Sequence, residues 1–281
     1  MNLIDGRALA REIRENVKRE IAELGLHPRL AVLLVGDDPS SQIYVNLKEK
    51  AAKEAGIDTD IRRLPADVPD RELDGLIKDW NDDPSYDAIL IQLPLPAGHG
   101  TDGLIATMNP KKDVDGFHPQ NLSAIKQGEG EIFPPVHESI LRLIGASGTD
   151  LRGSHAVIIA NSDTFSGPLT RLLEKGESSV ITMSADELDA DALKNADIAV
   201  IAIGRAGFLK REMIKDGACV IDVGTNRLAD GKVVGDVYVD SMKNAAGWLS
   251  PVPGGVGPLT VALLLNNVLK LAKRRTTSLH R

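Results

Sequence analysis

Apolar and polar positions along this chain follow two periods, and the switches between them mark the elements. After Asp5, apolar residues recur every three to four positions as far as about Leu24, and Asp5 can cap the helix that this spacing predicts. "RLAVLLVG" (29–36) is almost continuously apolar and predicts a buried strand. A helix over 40–57 follows, with a capping serine at its start and Gly56 as its stop. A strand near 58–64, a helix near 70–82 and the strand "YDAILIQLPL" (86–95) come next. Continuous apolar strands alternating with helices imply an α/β fold, with a parallel sheet covered on both faces.

Beyond residue 97 the periodicity fades. The stretch 97–131 is rich in turn residues and reads as a link between two lobes. A helix near 135–147 opens the second lobe, and strands are expected at 155–160, 178–183, 197–203 and 218–223 with helical segments between them. That series predicts a Rossmann-like nucleotide-binding sheet. "SPVPGGVGP" (250–258) reads as a rigid loop, and "LTVALLLNNVLKLAKRR" (259–275) as a final helix, with the last six residues frayed.

Composition narrows the class. The chain has 281 residues, 42% of them apolar, enough for two modest domains with buried cores. A net charge of −7, with no long basic block before Lys273-Arg274-Arg275, argues against nucleic acid as a partner. The single cysteine, Cys219, excludes an intrachain disulfide and fits a reducing compartment. The first residues form an amphipathic pattern rather than a signal peptide, and no apolar run reaches the roughly 18 residues a membrane span needs. A soluble, cytoplasmic protein is the expectation.

Several residues could do chemistry. Tyr44 and Lys48 are four apart on one helix and share a face, so a ring and an amine could meet a flat substrate together. The same spacing fits a packed ring beside a solvated amine. Gln92 is a polar residue in an apolar strand, and a buried amide needs partners; backbone or a neighbouring lysine would serve. Asp113 and Asp115, in "KKDVDGFH" (111–118), could bind a cation or the edge of an amidine-like ring, or simply build a turn. No metal site follows, because the six histidines are scattered and there is no second acidic cluster at ligand spacing. Ser162 and Ser166 lack the Gly-x-Ser-x-Gly frame of a serine hydrolase, and Cys219 sits in a strand as a buried apolar residue.

Taken in order, "SQIYVNLKEKAAKEAGI", "DAILIQLPLP", "NPKKDVDGFHPQN", "ADIAVIAIGRAGFLKREMIKDGACVIDVGTNR", "VVGDV" and "SPVPGGVGPLTVALLL" closely resemble the bifunctional methylenetetrahydrofolate dehydrogenase/cyclohydrolase family over nearly the whole chain. The resemblance implies an N-terminal α/β folate domain over 1–120 that regains the last helix over 260–281. It also implies a Rossmann-like NAD(P)-binding domain over 121–259, with the folate in the cleft between the two. It makes Lys48 the catalytic lysine, Gln92 its hydrogen-bond partner, Tyr44 the stacking ring and Asp115 the pterin anchor. Ser41 takes the family's Ser-x-x-Tyr position, and Pro253, Gly254 and Gly255 line the folate side. Ala160, Asn161, Ser162, Asp186, Gly204 and Thr225 fall at cofactor positions, and a homodimer is implied.

Two family motifs are altered. Where the family has Pro-Cys-Thr-Pro-x-Gly, this chain has "FPPVHES" (133–139). Where it has Gly-Arg-Ser-x-x-Val-Gly-x-Pro, the turn here runs from Ala160 to Gly167, followed by Pro168. The missing arginine would hold the 2′-phosphate of NADP, and Asn161 cannot replace a charge-assisted bond worth about 1.5–3 kcal/mol. Asp186, about 26 residues after Ala160, could instead hold the ribose 2′-hydroxyl of NAD, or cap the next helix. Three readings follow: NADP held by other contacts, NAD in its place, or a degenerate nucleotide site leaving a cyclohydrolase or a non-catalytic folate-binding protein. A nucleotide-binding regulator built on a Rossmann domain would leave Lys48 and Gln92 without a reason.

Overall fold

The structure, a computed structural model, describes residues 1–245 and 247–279 and the side chains through Arg275. The chain divides into two compact units. One comprises Ala10–Pro135 and the chain from Val261 onward; the other comprises Met1–Leu9 and Val136–Thr260.

In chain order the first half contains β1 (Asn2–Leu3), α1 (Gly6–Leu24), β2 (Arg29–Val35), α2 (Pro39–Ala55), β3 (Asp58–Leu64), α3 (Asp70–Asp82), β4 (Ala88–Ile91), α4 (Thr101–Thr107) and α5 (Pro119–Gln127). The second half contains α6 (Pro135–Ala146), β5 (His155–Ala160), α7 (Asp163–Lys175), β6 (Ser179–Met183), α8 (Ala190–Asn195), β7 (Ile198–Ala202) and β8 (Cys219–Asp222). It ends with β9 (Asn226–Arg227), β10 (Val233–Val234), α9 (Val239–Met242), β11 (Trp248–Leu249) and α10 (Val256–Leu279).

The first unit is built on a three-stranded parallel sheet in the order β3-β2-β4. Side chains alternate across the sheet. Leu30, Val32 and Leu34 pack under Val17 and Ile21 of α1, Val45 and Ala52 of α2, and Leu264, Leu265 and Val268 of α10. Ala31, Leu33 and Val35 pack against Leu73, Ile77 and Trp80 of α3 and Leu104 and Ile105 of α4. With both faces covered, β2 reads as an unbroken apolar run, which is why it was legible. Each such fully buried Leu or Ile contributes roughly 1.5–3 kcal/mol.

Several details differ from the sequence reading. The cap of α2 is Asp38, whose carboxylate accepts the Ser41 N–H at 2.7 Å, rather than a serine. Pro39 fits the first helical position because no N–H is needed there. The third strand ends at Ile91 instead of continuing to 95, since Pro94 and Pro96 have no N–H for a ladder. Residues 97–131 do not form a bare link: they carry α4 and α5, and Leu104, Val114 and Ile132 are buried in the first unit's cores. Residues 121–135, placed in the second domain by the sequence reading, therefore group with the first unit, while Met1–Leu9 group with the second. The last helix starts at Val256 and runs through Leu279; the final two residues lie outside the described ones.

The second unit is a six-stranded parallel sheet in the order β1-β11-β8-β7-β5-β6. Its core joins Val157, Ile159, Ala199, Ile201 and Val220 to Leu193, Leu209, Ile214 and Met242. From β5 the chain crosses by α7 to β6 on one side, then by α8 to β7 on the other. The strand order reverses at β5, so a crevice opens at the C-terminal ends of β5 and β7, where open α/β sheets bind ligands.

Candidate active-site residues and nucleotide crevice

In the first unit, α2 carries Ser41, Tyr44 and Lys48 on successive turns. Ser41 and Lys48 are buried and Tyr44 is half-buried. Lys48 lies on the α2 face turned to the sheet, and its Nζ donates to Gln92 Oε1 at 2.9 Å. Gln92 sits one residue past the end of β4, with its N–H on Leu33 O at 2.8 Å and its Nε2 on Leu93 O at 2.6 Å. Both ends of the amide are therefore fixed, and its oxygen faces the amine. Burial pushes the Lys48 ammonium below its ordinary range, while the charge of Asp115 opposes that shift.

The two acids of "KKDVDGFH" separate in role. Asp113 is fully buried, and its carboxylate accepts the N–H groups of Gly116 (3.0 Å) and His118 (2.8 Å) and the Asn121 amide (2.9 Å). It builds the turn. That turn is pinned beside β4 by Ile89 N–H to Lys112 O at 2.7 Å and Val114 N–H to Ile89 O at 3.3 Å. Gly116 sits at φ 71°, and a Cβ there would lie 3.1 Å from Pro134 N, so glycine is required. Asp115 is half-buried and has no hydrogen-bond partner among the described residues. Burial pushes its carboxyl up to about 6, with Lys48 pulling down and Asp113 pushing up. A niche of about 10 Å³ beside it is lined by Ile91, Ile105, Met108 and Phe117. The arrangement is an amine with a lowered proton affinity and, near it, a carboxylate with no protein partner beside an apolar wall.

In the second unit, the turn after β5 is only Asn161 and Ser162, because α7 already begins at Asp163. The longer turn expected through Gly167 is in fact the first turns of that helix, started by Ser162, whose Oγ accepts the Thr164 N–H at 3.2 Å. Ala160 ends β5. Asn161 turns across the crevice and donates from Nδ2 to Ile203 O at 2.9 Å. Gly204, at φ 67°, has nothing within 4 Å of where a Cβ would stand, so the crevice floor is open there. Thr225 is exposed in the loop between β8 and β9. Asp186, after β6, does not cap α8; Asp189 does, accepting the N–H groups of Asp191 and Ala192. Asp186 instead accepts from Arg205 Nη1 at 2.9 Å, and both side chains are exposed.

Pro253, Gly254 and Gly255 lie in the turn before α10. Gly254 is at φ 124°, and Gly255 approaches the chain start so closely that a Cβ on Gly6 would stand 2.2 Å from Gly255 O. The two altered family motifs touch: the rings of His137 and Phe165 lie 5.2 Å apart, and burial pushes the His137 imidazole down to about 4.

Arg205 had no place in the sequence reading. It follows the third Rossmann strand, where a cation beside a glycine is a usable signal. Asp222 and Asp236 carry no sequence signal beyond the "VVGDV" motif that holds Asp236.

Comparison with known proteins is consistent across the chain. Residues 4–115 match the catalytic domain of tetrahydrofolate dehydrogenase/cyclohydrolase, and residues 134–276 match its NAD(P)-binding domain. The chain is 41% identical over 277 residues to the bifunctional protein FolD of Bacillus subtilis, covering 97% of this chain and 98% of that protein. The bifunctional FolD structure from Campylobacter jejuni superposes with a TM-score of 0.93 at 38% identity, covering 98% of this chain and 99% of that one. The Trypanosoma brucei enzyme, solved with NADP cofactor and inhibitor, has a TM-score of 0.93 at 34% identity and covers 98% of both chains.

Proposed function

The chain belongs to the tetrahydrofolate dehydrogenase/cyclohydrolase family, and from that premise we propose how its own residues divide the two reactions. The protein is a bifunctional enzyme of one-carbon metabolism: it oxidises 5,10-methylenetetrahydrofolate to the methenyl form and hydrolyses that form to 10-formyltetrahydrofolate. A reading as cyclohydrolase alone, or as a non-catalytic folate-binding protein, is not favoured.

Lys48 is the catalytic residue of hydrolysis. The methenyl intermediate is a delocalised cation. Water adds to its one-carbon centre and gives up one proton; the hydroxyl's remaining proton then passes to a ring nitrogen as that nitrogen's bond to the carbon breaks and the formyl C=O forms. A protonated amine would repel the cation, whereas a buried amine with lowered proton affinity can accept the proton from water. Gln92 aims the amine, and the 2.9 Å bond between them is the observation that carries this reading. Tyr44 offers a flat face to the ring system, with Ser41 one turn before it. Asp115 anchors the amino-pyrimidine edge of the pterin, which needs acceptors once it leaves water.

For the dehydrogenase step, a bound nicotinamide dinucleotide supplies the hydride acceptor. The second unit fits such a group: Gly204 leaves open space at the strand ends, and Ser162 opens a helix whose first N–H groups suit a phosphate. Ala160, Asn161, Gly204 and Thr225 line that crevice. We assign NAD as the preferred cofactor. Asn161 spends its amide on Ile203 O, and Asp186 puts a carboxylate after the second Rossmann strand, where it suits a ribose hydroxyl better than a phosphate. One observation favours NADP instead: the exposed Arg205 guanidinium could leave Asp186 for a 2′-phosphate. Steady-state rates with each cofactor, before and after Arg205→Ala, separate the two. Loss of NADP turnover in that variant would make Arg205 the phosphate ligand.

The enzyme works in the cytoplasm as a homodimer. The single, buried cysteine suits a reducing compartment. Exposed Ile181, Tyr238 and Val239 on the second unit offer apolar surface to another copy. Sedimentation at micromolar concentration tests the dimer.

A further inference from the structure

Two carboxylates are buried in the second unit with no cation beside them. Asp222, ending β8, is 1% exposed and Asp236 is fully buried. Among the described residues neither forms an ion pair. Six N–H donors hold them instead. Asp222 accepts from the backbone of Gly224 (3.0 Å), Asp236 (3.0 Å) and Val237 (2.9 Å). Asp236 accepts from the backbone of Ile203 (2.7 Å) and Gly204 (3.0 Å) through one oxygen, and from Asn226 Nδ2 (2.8 Å) through the other.

Two glycines make room for this knot. A Cβ on Gly235 would stand 1.8 Å from Asp222 Oδ2, and one on Gly224 would stand 2.2 Å from Asp236 Cγ. Burying charge without a counter-ion is costly, and burial together with the neighbouring Asp236 pushes the Asp222 carboxyl up to about 6 against its three backbone donors. A loop that needed only stability could be closed with apolar residues.

What the knot joins is informative. Asp236 ties the backbone after β7, at Ile203 and Gly204, to Asn226, the first residue of β9. Asn161, from the end of β5, reaches the same Ile203 peptide from its carbonyl side. The two strand ends that form the nucleotide crevice, those of β5 and β7, thus meet at the Ile203–Gly204 peptide, whose C=O and N–H are both held.

We propose that Asp236 is a positioning residue for the dinucleotide: it fixes the Ile203–Gly204 backbone, and with it the crevice floor, in the conformation that receives the cofactor. The inference rests on the reading of that crevice as the NAD(P) site. It acts through backbone geometry, so the two activities of the enzyme should respond differently. Hydrolysis of methenyltetrahydrofolate uses no nucleotide and serves as an internal control.

The test is Asp236→Asn in the full-length enzyme, alone and with Asn226→Asp. The single change keeps an oxygen for Ile203 and Gly204 but turns an NH₂ toward the Asn226 NH₂, so donor meets donor. The second change presents an acceptor there and reverses the direction of the bond. The expected result is a KM for the dinucleotide raised about tenfold or more in the single variant, cyclohydrolase rate within about twofold, and the KM largely restored in the double variant. An unchanged nucleotide KM would overturn the proposal. So would a parallel loss of both activities that the double variant fails to rescue, since that is the mark of a purely structural role. If wild-type enzyme shows no nucleotide-dependent oxidation, the reading of the crevice fails instead. Should Asp236→Asn not fold, Asn226→Leu removes the same link from its other end and is read by the same KM and rate.

Discussion

The Lys48–Gln92–Asp115 group and the nucleotide crevice treat their polar atoms in opposite ways. In the first, hydrogen-bonding capacity is left over. Lys48 has a single partner, and Asp115 has none among the described residues although burial raises its carboxyl. In the crevice, polar groups are spent on the protein itself: Asn161 on Ile203, Asp186 on Arg205, Asp236 on three donors. Groups with hydrogen-bonding capacity left over can take a ligand directly, while self-satisfied groups reveal architecture and must be released or read indirectly. On the proposed reading, the folate site is thus the more legible of the two in its side chains, and the cofactor preference the less.

The largest effect should come from Lys48→Met. Cyclohydrolase activity is expected to fall by roughly 10²- to 10⁴-fold, the usual contribution of a proton-transferring group, with the circular dichroism spectrum unchanged. Retained hydrolysis would remove Lys48 from its role and break the comparison at its stronger end.

Asp115→Asn comes next and sharpens it. Losing a charged acceptor worth about 1.5–3 kcal/mol per bond should raise the folate KM roughly ten- to a hundredfold. At pH 7 the same change should stabilise the fold. The folded carboxyl titrates at about 6 against an ordinary 3.8, so between those values the folded state binds more protons than the unfolded one, and stability falls as pH rises. The contribution, up to roughly 3 kcal/mol, is fully lost above about 6. A melting temperature higher than wild type at pH 7, with the gap closing by pH 4, is the expected outcome. The variant also removes the charge that favours protonated Lys48, so the rising limb of the cyclohydrolase pH profile should move to lower pH.

On the crevice side, Asn161→Arg should improve kcat/KM with NADP by roughly tenfold to a hundredfold, since it restores one charge-assisted bond. No gain would mean that Arg205 already fills the place. The smallest effect is on stability. The Asp186–Arg205 pair is exposed, and Arg205→Ala should leave the urea midpoint close to that of the wild type.

Much of the fold was legible in the sequence because burial on both faces leaves an unmistakable run, as in β2 and β5. Helices such as α3 had clear bounds from Asp70 to Asp82. The two-residue strands β1, β9, β10 and β11 left no period to detect. The stretch 97–131 looked like a link because its packing rests on scattered residues, Leu104, Val114 and Ile132, rather than on a pattern. In the candidate site, spacing alone leaves Lys48 as readily a solvated amine, and only the family resemblance pairs it with Gln92; the two share no sequence neighbourhood yet lie in one hydrogen bond. Asp236 could not be found that way: its partners Ile203, Gly204 and Asn226 are backbone or distant groups, and only the fold brings them together.

The measurement that bears most directly on the account is the oxidation of 5,10-methylenetetrahydrofolate by the purified enzyme with NAD and NADP side by side. A kcat/KM at least about tenfold higher with NAD, alongside hydrolysis of the methenyl product, is the expected result. A preference for NADP in the wild-type enzyme would contradict the assignment of Asn161 and Asp186 and give the crevice to Arg205.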